Sequence, residues 1–122
     1  MADSDIQPLG PREKKMYEAE YKHGADLFKQ AAQEYTKSDN MDQKAEFKDV
    51  MEKAMQVMQD AARELMRQEL LKQNDQIAKD FAAFQDSPSN ATEQQLAKDL
   101  DKAKKSVWVS SPLQNNLLEI IV

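Results

Sequence analysis

Apolar side chains recur at four- and three-residue steps through the middle of the chain: Met51, Met55, Met58, Ala62, Met66, Leu70, Ile77, Phe81 and Phe84. That spacing is one face of an α-helix, with Gln73 filling the rung between Leu70 and Ile77. No Gly or Pro lies between Ala25 and Ser87, and the intervening residues are mostly strong helix formers. The pattern predicts one long helix over residues 41–85, about 65 Å long if unbroken. Its four-three-four repeat keeps the ladder nearly straight. Between Phe47 and Leu71 the apolar face is wide, because Val50, Ala54, Val57, Ala61 and Leu65 flank the ladder. It thins from Lys72 to Asp80, so residues 72–75 are where a kink or short turn is expected.

The same reasoning places the other elements around this helix. Residues 1–10 carry Pro8 and Gly10 and are expected to be a flexible segment. A first helix over 11–37 starts at Pro11, a favourable first-turn residue, and presents Tyr17, Tyr21, Gly24, Phe28, Ala31 and Tyr35 as a heptad seam. Its aromatic residues are expected to meet the Met-rich seam of the long helix in an antiparallel hairpin, with Asn40 and Gln43 as a loose capping box. After the loop around Pro88, Thr92 and Gln95 predict the start of a third helix over 92–107, with Leu96, Leu100, Ala103 and Val107 inward. A short last helix over 112–121 would carry Leu113, Leu117, Leu118 and Ile121. The fold class is therefore all-α, an antiparallel helical hairpin or elongated three-to-four-helix bundle built on one long central helix, in a single domain over 11–122.

Composition narrows the function more than it defines it. Two glycines and four prolines in the chain speak against a turn-rich β or α/β fold. The net charge of −5 is spread over interleaved acids and bases, with no basic patch, so no nucleic acid is expected as a partner. Glu18–Lys22, Asp49–Lys53, Asp75–Lys79 and Asp101–Lys105 are spaced as i,i+4 ion pairs on solvated faces. The absence of cysteine excludes disulfides and thiolate chemistry. No apolar run is long enough to span a membrane. The first residues lack the pattern of a secretory signal, and Ala2 is incompatible with N-myristoylation. A cytoplasmic location is the resulting expectation.

No catalytic or metal constellation stands out. Glu20 and His23 have the spacing of half a carboxylate-bridged di-metal site, but the second half needs another histidine and the chain has one. Residues 86–97 fail as a calcium loop, with Ala91 where glycine is needed and Ala97 where glutamate is needed. No serine has a nucleophile motif around it, and the carboxylates fall on predicted helix surfaces with no sign of burial. No cofactor and no metal are expected, and the chain is read as a non-enzyme. An enzyme with an unrecognised surface carboxylate site is the remote alternative. The Met-rich face between Met41 and Met66 reads as core rather than as a docking groove. The partner-binding candidates are Trp108 and the apolar C-terminal residues Leu117, Leu118, Ile120, Ile121 and Val122.

A helix, the turn Pro88-Ser89-Asn90, a helix with Leu96 and Leu100, and an apolar C-terminal segment together resemble the hairpin of type III secretion needle subunits. The resemblance covers the final third of the chain and does not extend to the long helical region before it. Small helical secretion chaperones are a similar analogy. The main expectation is a helical module for protein–protein interaction or self-assembly, with a homodimer among its partners. The resemblance implies, as the alternative, a subunit or chaperone of a bacterial secretion apparatus.

Overall fold

The computed structural model describes residues 10–109, with side chains described up to Val107. These residues are helical almost throughout: α1 (Pro11–Lys37), α2 (Met41–Leu65), α3 (Gln68–Asp86) and α4 (Asn90–Val109). No strand occurs among them. Residues 1–9 of the expected flexible segment 1–10, and the expected helix 112–121, lie outside the described residues, while Gly10 caps α1.

The long helix is not one helix. The chain turns at Met66–Arg67, where Met66 takes a left-handed conformation (φ 56°, ψ 36°) and closes α2. Residues 72–75, the expected weak point, lie inside α3. A left-handed L-residue costs about 1–2 kcal/mol, and the Met66 side chain is 77% exposed, so its own burial offsets none of this. The fold gains instead from two apolar faces brought together. Asn74 reaches back to Met58 and Gln59, pairs placed nearly symmetrically about the turn, so α3 runs antiparallel to α2. Arg67 ties the turn to α1 through an ion pair with Glu18, both side chains largely buried.

Cross-helix contacts define the directions of the remaining helices. Tyr21, Phe28 and Tyr35 of α1 meet Asn74, Phe81 and Phe84 of α3 in the same order, so α1 and α3 are parallel. Lys29–Asp101 and Asp26–Lys104 run in opposite order between α1 and α4, so these two are antiparallel. The four helices therefore form an up-down-up-down bundle, and α2 packs far more closely on α1 than on α3. The α1 aromatics Tyr21 and Phe28 share one core cluster with Met51 and Met58 of α2 and reach α3 as well. The small residues Gly24 and Ala31 lie on the α2 side. A Cβ at Gly24 would sit 3.0 Å from Met58 Cγ and 3.2 Å from the Ala54 carbonyl oxygen, so the missing side chain is what lets α1 and α2 approach.

Caps fix where the helices begin. Asn40 Oδ1 accepts from the backbone N–H groups of Asp42 and Gln43 at 2.8 and 3.1 Å and starts α2, a cap worth about 1 kcal/mol over alanine. At α4 the expected cap Thr92 lies three residues inside the helix. Ser89 is the cap: its hydroxyl accepts from Thr92 N–H, and the Thr92 hydroxyl accepts from Ser89 N–H, a reciprocal capping box. This moves the helix start from 92 to Asn90.

Candidate functional site

Three features of the bundle go beyond plain apolar packing. The first is a buried polar layer. Asn74 is 1% exposed and occupies the rung between Leu70 and Ile77 that Gln73 was expected to fill. It is inside because both its ends are satisfied. Its Oδ1 accepts from the Tyr21 hydroxyl at 2.7 Å, and its Nδ2 donates to Gln59 Oε1 at 2.9 Å and to the Met58 carbonyl at 3.3 Å. Burial pushes the Tyr21 phenol up, so it remains a neutral donor. Gln73 sits on the flank and donates to the Ser106 hydroxyl of α4 at 2.7 Å.

The second is a pair of buried carboxylates, contrary to the expectation that all acids are surface residues. Glu18 and Asp80 are each 7% exposed. Glu18 pairs with Arg67 across helices, and its charge also acts on Lys22 one turn along α1. Asp80 faces Asp99 across the α3–α4 seam. Of the spaced surface pairs, Asp49–Lys53 forms at 3.1 Å, while Asp101 is held by Lys29 across helices.

The third is the edge of α2 that runs along α1. Val50 and Val57 are each 37% exposed. They are seven residues apart, two turns along one face, which borders α1: Val57 Cγ1 lies 3.3 Å from where a Cβ at Gly24 would sit. Phe47 and Val50 border a shallow groove of about 130 Å³ whose other wall is Leu27, Ala31 and Glu34 of α1. On the opposite flank, a cleft of about 200 Å³ between α2 and α3 is lined by polar groups (Gln56, Gln59, Asn74, Asp75) together with Met55 and Ala78. The apolar groove suits a hydrophobic helix face. The polar cleft brings together no nucleophile with a base.

The structure places the remaining candidates as follows. His23 and Glu20 are exposed on α1, and no group of three metal-ligating His, Asp or Glu side chains occurs among the described residues. No helix among them is long and apolar enough to cross a membrane. Trp108 lies near the end of α4, its side chain outside what the structure describes, and Leu117, Leu118, Ile120, Ile121 and Val122 lie outside the described residues. The flank at Val50 and Val57 was not singled out from sequence, because these residues were assigned to a wide buried face. Their spacing, seven apart and beside rather than on the ladder, was the available signal. No known protein family, curated protein or solved structure matches the chain.

Proposed function

We propose that this chain is a non-enzymatic helical interaction module that self-associates through the exposed edge between α1 and α2. The observation that carries the reading is the aligned, half-exposed apolar stripe of Val50 and Val57 beside the groove formed with Leu27 and Phe47. Such a stripe accepts a helix that presents apolar side chains at matching three- and four-residue steps. A second copy is the committed occupant, because a single-helix stripe run antiparallel against itself about a two-fold axis is self-complementary. Asp49 and Lys53, both exposed on α2 and paired with each other, supply a polar margin.

Sedimentation of the full chain across a wide concentration range tests the reading. The wild type is expected to dimerise with increasing concentration. The variant carrying Val50→Asp and Val57→Asp is expected to stay monomeric with its helical signal intact, since both sites are over a third exposed even where Val57 touches α1 at Gly24. A wild type that stays monomeric throughout, or a double variant that dimerises equally well, overturns it.

A further inference from the structure

The α3–α4 seam holds a carboxylate buried without a cation. Asp80 shares the inward face of α3 with Ile77 and Phe84. Its Oδ1 accepts from Gln76 Nε2 at 3.1 Å, while its Oδ2 is enclosed and has no hydrogen-bond partner. Asp99 of α4 lies within hydrogen-bonding reach and itself accepts from Gln95 Nε2 at 3.2 Å. Both glutamines aim their amide donors at the acids, and the contact left without a donor is the one between the acids. Two ionised carboxylates would place acceptor against acceptor there. One proton on the pair turns the clash into an O–H···O bond.

We propose that Asp80 and Asp99 share one proton that bonds α3 to α4, so that this seam is tight in mildly acidic solution and loosens when the proton leaves. The surroundings offer no counter-charge in its place. The groups acting on Asp80, among the described residues, are Asp99 and Gln76. Between α1 and α4, Lys29 is engaged by Asp101 at 3.1 Å, and Lys104 is engaged by Asp26. α2 meets the other flank of α3, at Asn74, Asp75 and Ala78, and contributes no group to Asp80.

Burial first, and Asp99 after it, push the Asp80 carboxyl up from 3.8 to about 6, against a smaller lowering by Gln76. The folded state therefore binds a proton that the unfolded chain has already released between these values. Stability is unaffected by this site below the ordinary carboxylate range, falls as pH rises through about 6, and stays lowered above it. A displacement of this size changes the folded-to-unfolded ratio by roughly tenfold to a hundredfold.

The test is urea unfolding of the full chain from pH 4 to 8 for the wild type, Asp80→Asn and Asp99→Asn, with side-chain carboxyl carbon NMR on the wild type. An amide at either position supplies the missing donor without titrating. Each variant is expected to match the wild type near pH 4 and to exceed its folded-to-unfolded ratio by roughly tenfold to a hundredfold at pH 7. In the wild type, the pair is expected to take up one proton well above the ordinary aspartate range. The proposal fails if neither variant gains stability over the wild type at pH 7. It also fails if both carboxyl carbons titrate in the ordinary range, a readout that needs no variant to fold.

Discussion

Truncating Phe28 to alanine is expected to destabilise the folded chain by about 3–5 kcal/mol. Phe28 is fully buried in α1, and its ring meets Phe81 of α3 edge to face, with centroids 5.0 Å apart and planes at 80°. The loss combines the transfer term for the ring, the cavity left behind and the aromatic contact. The helices around it cannot collapse into the gap, because Tyr21–Asn74 on one side and Tyr35–Phe84 on the other hold α1 and α3 at their present separation. Against a total stability of about 5–15 kcal/mol for a domain of this kind, the change is expected to lower the urea midpoint steeply at unchanged m-value. A loss below about 1 kcal/mol would mean that Phe28 is not at the centre of the core.

The second large effect is expected at Asn74. Asn74→Ala removes the partner of a buried Tyr21 hydroxyl and opens a small cavity, for a loss of about 2–4 kcal/mol. The informative comparison is a double-mutant cycle. Asn74→Leu alone completes the apolar seam but strands the hydroxyl and is expected to destabilise. Combined with Tyr21→Phe, which removes the stranded group, it is expected to be nearly neutral or stabilising. Additive losses in the cycle would show that the 2.7 Å bond between the Tyr21 hydroxyl and Asn74 does not hold in solution.

The helical class and three of the helix boundaries were legible in the sequence, because caps and periodicity are local signals: Pro11 opens α1, Asn40 opens α2, and α1 ends at Lys37. The fold-back was harder to read, because no Gly or Pro marks it and Met66 adopts the turn conformation that glycine favours. A trace was present. Phe47, Met51, Ala54, Met58, Ala61 and Leu65 form one four-three seam, and Leu70, Asn74, Ile77, Phe81 and Phe84 form another. The five-residue step from Leu65 to Leu70 breaks the register between them. The straight ladder through Met55, Met66 and Gln73 bridged that step by choosing apolar Met66, which is exposed, over polar Asn74, which is buried. Polar character also hid Asp80: its place three residues after Ile77 and four before Phe84 put it on the inward face, but only its neighbour Asp99 on α4 shows what a carboxylate could do there. The groove partner of Val50 was not legible at all, since it depends on how closely Gly24 lets α1 approach α2.

The central claim is that the chain reverses at Met66–Arg67, so that α2 and α3 are two antiparallel helices of one bundle. The chain contains no cysteine, so spin labels attached to Lys48→Cys and Gln85→Cys, both exposed sites, would be the only ones present. A continuous helix would separate them by about 55 Å at 1.5 Å per residue. Packed helices with axes about 8–10 Å apart bring them, label arms included, to under about 30 Å. A pulsed dipolar distance distribution centred under about 30 Å is the expected result, and one centred near 55 Å would contradict the bundle.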